Sequence, residues 1–164
     1  MFAFKLIQLI ETRAEPLSDG LMRRIKNDDR CVELVRQVPS DELRRRSHEI
    51  YFNLNEWLLN KTKSEIEENY LALGIRRAKQ GVPFTALLWA LSATKEHLWK
   101  FMEEEGIFTE PLDMHGCIAL LHSLDRFFDH ILFFAAVGYQ NAQQAEQVRQ
   151  GQSVLAKAHG MGMR

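Results

Sequence analysis

The stretch PFTALLWALSATKEHLWKFMEEEG, residues 83–106, decides the fold class because it has the pattern of a long amphipathic helix. Pro83 suits the first turn of a helix, where its missing N–H would have no partner, and Gly106 suits the end. No segment of the chain alternates apolar and polar residues with β-branched enrichment, so the sequence predicts an all-α protein. The apolar stripe of this helix recurs at helical spacing and consists of Phe84, Leu87, Leu88, Leu91, Leu98 and Met102.

Start and stop signals on either side of this stretch predict a bundle of about six helices. A first short helix is interrupted by Pro16 and the Ser18-Asp19-Gly20 cluster. Ser40 can cap a long helix, and Thr62 with Glu65 forms a capping box for the next one. The predicted helical segments are residues 3–13, 21–29, 31–38, 40–60, 63–80, 83–105 and 110 to about 158.

The last predicted helix is longer than a domain of this size is wide. It exceeds 40 residues, about 60 Å at the rise of an α-helix, so it either kinks near Gly138 or projects as a stalk. Residues after Gly138 are rich in Gln and Ala and contain no aromatic residue beyond Tyr139. We therefore expect a helical domain over residues 1–145, followed by a helical extension and a disordered tail over 146–164.

Composition excludes several functional classes. The chain has 164 residues and a formal net charge of −1, so no global field attracts it to nucleic acid or to an anionic membrane. Two distant cysteines, Cys31 and Cys117, form neither a disulfide framework nor a zinc motif. The longest apolar run has eight residues, and no signal peptide is recognisable, so we expect a soluble, cytoplasmic protein.

Two helices are more apolar than a single buried face requires. On helix 83–105, Trp89, Ala93 and His97 lie roughly opposite the core stripe. They indicate either a central helix packed on both sides or a pocket wall or second interface, and we take them as the candidate pocket or second interface. On the last helix, spacings of three and four predict a coiled-coil seam for a homodimer, formed by Phe128, Ile131, Ala135, Gly138 and Ala142.

No motif for catalysis, metal binding or cofactor binding is present. The chain lacks Glu-x-x-His, Gly-x-Ser-x-Gly and a glycine-rich phosphate loop. His115, His122, Asp125 and Asp129 share one side of a helix, but this polar side is better interpreted as solvated than as a metal site. We therefore expect a protein that is not an enzyme, with histidine phosphotransfer through His48 as the alternative function.

The middle of the chain resembles the N-terminal helical sensor domain of the RsbRD and RsbR class of stressosome proteins, the co-antagonists of the kinase RsbT. The likeness covers about residues 1–145. It rests on the segments VPSDELRR (38–45), LGIRRAKQGVPF (73–84), LLWAL (87–91), LW (98–99), LDR (124–126) and GY (138–139).

The resemblance implies a globin-like, non-haem, usually dimeric domain that senses a signal in a stress response. It also implies an output partner, such as a kinase or stressosome-type regulator, acting in trans because the chain stops at Arg164. A small apolar ligand is a further expected partner. The residues themselves allow a check on haem binding. In a haem globin the helix that corresponds to residues 63–80 carries the proximal histidine, and here it contains no histidine.

Overall fold

Six α-helices and one short 3-10 helix form the regular structure of the computed structural model, which describes residues 2–60, 63–109 and 114–161. No β-strand occurs within these ranges. The all-α class, the six helices and the long C-terminal helix are thus confirmed. The helices are α1 (Phe2–Lys26), α2 (Val32–Gln37), α3 (Ser40–Asn60), α4 (Lys63–Lys79), α5 (Phe84–Glu104) and α6 (Met114–Met161), and the 3-10 turn Asp29–Cys31 precedes α2.

Helix α1 is kinked rather than ended by its proline. Arg13 has non-helical backbone angles, φ −120° and ψ 21°, and Pro16 follows three residues later. Proline lacks the N–H that would bond to Thr12, and its ring crowds that carbonyl. The prediction that Ser18-Asp19-Gly20 breaks the helix was wrong, because Ser18 is buried and Gly20 packs against His97, so tertiary contacts keep this cluster helical.

Glycines end α4 and α5 as predicted. Gly81 and Gly106 have φ values of +76° and +70°, a conformation that favours glycine. The residue after each glycine donates its backbone N–H back into the last turn, from Val82 to Arg77 and from Ile107 to Met102, both at 3.1 Å. The capping box at Thr62 and most of the start signal at 109–113 lie outside the described residues.

The first half of α6 runs through the core. Its contact with α4 is the largest between any two described helices. Three core side chains of α6, Leu124, Phe127 and Phe128, have no exposed surface. Aromatic rings of α3 and α4 pack edge-on against Phe127, with centroids 5.9 Å away for Trp57 and 6.5 Å away for Tyr70.

The second half of α6 leaves the bundle. The helix continues through Gly138 without interruption, so it projects instead of kinking. Residues 143–161 are all exposed. The helix includes residues 159–161, which we assigned to a disordered tail, whereas 162–164 lie outside the described residues. None of the described helices has an apolar stretch that would cross a bilayer.

Candidate functional site

Trp89 packs against the turn that connects α1 to α2. Its indole Nε1 donates to Asp28 Oδ2 at 2.8 Å, and the guanidinium of Arg30 lies 3.6 Å from its ring centroid. The indole hydrogen bond lowers the pKa of Asp28 below its ordinary value. The polar edge of Trp89 is therefore satisfied within the chain, and the ring holds the turn on α5.

His97 connects the same side of α5 to α1. Ala93 is buried, and His97 Nε2 lies 3.0 Å from the carbonyl oxygen of Leu17. A carbonyl only accepts, so Nε2 carries the proton. Burial lowers the pKa of His97, which keeps it neutral near pH 7. A Cβ at Gly20 would lie 2.9 Å from the imidazole, so glycine lets α1 approach this closely.

Trp89 and His97 thus contact two different parts of the chain, the α1–α2 turn and Leu17 of α1, and these contacts favour a central helix packed on both sides. The role of Trp89, Ala93 and His97 as a pocket or second interface stays a prediction. His97 also lines a surface cleft between α1 and α5, and the other residues that line this cleft include Arg23, Lys100 and Glu104.

The seam predicted on α6 lies inside the chain. Phe128, Ile131 and Ala135 have no exposed surface, Gly138 is buried and Ala142 is half-buried. Ala135 and Gly138 meet α4 of the same chain, and the complete burial of Phe128 and Ile131 leaves them no surface for a second copy, which corrects the expectation of a homodimer seam at these positions. The spacing of three and four identified a helix–helix contact, but spacing alone does not say which helix is the partner.

Two glycines let α4 and α6 cross in backbone contact. A Cβ added at Gly138 would lie 2.0 Å from Leu71 O, and one at Gly74 would lie 2.0 Å from Ala135 O. Replacement of Ala135 by Glu would bury a charge at this crossing.

The projecting end of α6 carries an exposed stripe that is apolar except for one glutamine. Ala145, Val148, Gln152 and Leu155 recur at alternating spacings of three and four and are all exposed. The exposed fraction is 60% for Val148 and 62% for Leu155. We call these four residues the stalk stripe. The predicted seam ended at Ala142, and the step from Ala145 to Val148 breaks its alternation of three and four, so this stripe was not predicted from the sequence.

A buried ionic cluster fixes α3 to the end of α4. Glu42 accepts from Arg76 Nε at 2.7 Å and from Arg77 Nη1 at 2.6 Å, and Gln80 Nε2 lies 3.2 Å from it. The guanidinium of Arg76, followed by that of Arg77, holds the pKa of Glu42 well below its usual range. The Arg77 side chain is only 3% exposed, so this cluster is structural.

Other titratable groups on α3 and α6 lie near the surface. His48 is exposed on α3, and its role in phosphotransfer stays a prediction. On α6, Asp125 pairs with Lys95 at 2.6 Å, and His130 Nε2 lies 3.2 Å from Glu67 Oε1. Within the described ranges, no group of three or more metal-ligating side chains comes together.

One comparison with known proteins gives a match. The family model for the RsbT co-antagonist protein RsbRD N-terminal domain matches residues 15–154, which include the bundle from the second half of α1 onward and most of α6. No curated protein and no solved structure matches the chain significantly. The globin-like arrangement that the resemblance implies therefore stays a prediction.

Proposed function

The chain belongs to the family of RsbT co-antagonist RsbRD N-terminal domains, a stress-signalling regulatory family, and from this premise we propose how it acts. It is a sensor module without catalysis of its own. It pairs with a second copy through the projecting end of α6 and passes the binding of a small ligand or partner protein along that helix. A cytoplasmic kinase or stressosome-type regulator receives the signal.

The observation that carries this proposal is the length of α6. Its 48 residues span about 72 Å, whereas a globule of this chain length is about 40 Å across. The excess of about 30 Å corresponds to roughly 20 residues, close to the exposed stretch 143–161. Most helical stability in proteins comes from packing of an apolar face, and the stalk has no such packing within the described chain, so a partner would stabilise it.

The stalk stripe favours a second copy in parallel as that partner. Val148 and Leu155 are seven residues apart, with Gln152 between them on the same face. A polar side chain at one seam position pairs best with the same residue of the second copy, and this pairing requires parallel helices in register. Small Ala145 at the base of the stripe lets the two helices approach closely.

The same helix links the stalk to the core. The rings of Trp57 and Tyr70 contact Phe127 on the buried half of α6, so a repacking of α3 or α4 moves this helix. A ligand shifts such an equilibrium only if it binds the two arrangements with different affinity. We infer that the input acts without haem, because α4 offers no histidine as an axial ligand.

The mass of the particle in solution tests the pairing. Val148→Glu and Leu155→Glu place a charge in the stalk stripe, and we expect each to convert the dimer to a monomer in light scattering. Val154→Glu is the matched control, because Val154 is 67% exposed on the same stalk but lies outside the stripe. Circular dichroism at the same concentration checks that the bundle stays folded.

Two results would contradict the pairing. One is a native chain that is monomeric at every concentration tested. The other is a dimer that Val154→Glu weakens as much as Leu155→Glu does, since the stripe would then have no special role.

A further inference from the structure

A cavity of about 240 Å³ lies between α1 and α3, beside the kink of α1. Ile10 and Ala14 line it from the two sides of the kinked residue Arg13. The remaining lining includes Ser18 from α1 and Tyr51, Phe52 and Asn55 from α3. Its size is close to the lower end of the range for small-molecule sites.

Buried polar atoms without a partner are concentrated at this cavity. Four such side-chain atoms occur in the described part of the chain, and three belong to cavity residues: Ser18 Oγ, the Tyr51 hydroxyl and Asn55 Oδ1. The exposed fractions of these residues are 1%, 2% and 5%. Buried polar groups nearly always have a hydrogen-bond partner, so three unpaired ones beside one cavity require an occupant.

The chemistry of these atoms defines the occupant. Asn55 Oδ1 accepts a hydrogen bond, so the occupant must donate one, and the hydroxyls of Ser18 and Tyr51 can either donate or accept. Burial raises the pKa of Tyr51, so its hydroxyl is neutral. Ile10, Ala14 and Phe52 supply apolar surface.

The buried side chains that line the cavity are uncharged near pH 7. Glu11 and His48 line it and are exposed, whereas the buried lining has no charge. An ion in the interior would lose its hydration without gaining a counter-charge. The lining therefore selects a neutral molecule.

We propose that this cavity binds a small, neutral, largely apolar molecule that carries a hydroxyl group. The proposal rests on the sensor function proposed above, because the bound molecule is the input of that sensor. Since Ile10 and Ser18 belong to the two halves of kinked α1, the molecule bridges both halves to α3. Its binding favours the arrangement in which these three segments are closest.

Phenol and toluene test the proposal, because they have the same size and differ by a hydroxyl in place of a methyl group. Each is titrated into the isotope-labelled full chain and followed by the amide NMR shifts of Ala14, Ser18 and Asn55. We expect saturable shifts confined to the cavity and a phenol affinity about tenfold higher than that of toluene.

Two asparagines on α3 give a matched pair of variants. Asn55→Leu removes the cavity acceptor, and we expect the preference for phenol to fall to about threefold, because the hydroxyls of Ser18 and Tyr51 remain. Asn53→Leu changes a residue whose amide donates to Tyr70, at 3.3 Å, beside a different cavity, and the preference should persist. Ser18→Ala, which adds no bulk, should weaken the preference even if Asn55→Leu fails to fold.

Equal affinities for phenol and toluene would overturn the proposal. The absence of saturable shifts with both probes would also overturn it, because water would then be the occupant of the cavity. The binding result and the oligomeric state are independent tests of the two proposals. A native monomer that binds phenol selectively would overturn the pairing and keep the pocket, whereas a dimer without phenol selectivity would do the reverse.

Discussion

Replacement of Gly138 by Ala perturbs the crossing of α4 and α6 with a single methyl group. Its Cβ would lie 2.0 Å from Leu71 O, and ordinary contact begins at 3.4 Å, so the helices must part by about 1.4 Å here. The contact that opens is the largest between two described helices. The substitution therefore tests whether the bundle is packed as described.

Two effects of opposite sign set the size of the change. Alanine is favoured over glycine within a helix by about 1 kcal/mol. Overpacking costs about 1–3 kcal/mol, and parted helices also lose dispersion contacts along the crossing. Because backbone meets backbone at this point, we expect the cost to prevail by about 2 kcal/mol, which lowers Tm by about 4–8 °C.

Thermal unfolding followed by circular dichroism measures this difference, and Gly151 on the stalk supplies the control. No atom lies within 4 Å of a Cβ at Gly151, so Gly151→Ala keeps the propensity gain without the clash. Its Tm should be unchanged or slightly raised. A Gly138→Ala variant as stable as the native chain would refute the close crossing, and with it the placement of the predicted seam inside the chain.

Three further substitutions test individual contacts. Glu42→Gln should lower the free energy of unfolding by about 3 kcal/mol near pH 7, because Arg77 loses its buried carboxylate. The folded-state pKa of Glu42 is depressed, so urea titrations should show that this difference between the variant and the native chain shrinks as the pH falls below about 4.5. The folded-state pKa of His97 is also depressed, so the native chain should lose stability between about pH 7 and pH 5 as the unfolded imidazole takes up a proton, and His97→Gln should lose less. Trp89→Phe removes the hydrogen bond to Asp28 and should lower the urea midpoint by an amount equivalent to about 1 kcal/mol, whereas an unchanged midpoint would mean that the turn is not held by the indole.

Local signals predicted most of the helices because each signal acts within one or two turns. The apolar spacing of residues 83–106, the proline at its start and the glycine at its end gave α5 nearly to the residue. Ser40 and the glycine at position 81 did the same for α3 and α4. Tertiary packing overrode propensity at Ser18-Asp19-Gly20, where His97 fills the space that glycine leaves.

The partners of the apolar faces could not be predicted in this way. The seam on α6 has the spacing of a coiled coil whether its partner is α4 or a second copy, and only the position of Gly74 opposite Ala135 decides between them. The cavity residues Ser18, Tyr51 and Asn55 carry no sequence signal. Their hydroxyl and amide groups are ordinary in helices until the fold shows that no partner reaches them.

Disulfide cross-linking at the stalk stripe tests the central claim, the parallel pairing of α6, most directly. In a Cys117→Ser background, the buried Cys31 remains, and Leu155→Cys brings two thiols together only if the helices pair in register. The account predicts that mild oxidation gives a covalent dimer for Leu155→Cys and little for Val154→Cys. Equal cross-linking of the two variants, or none in either, would contradict it.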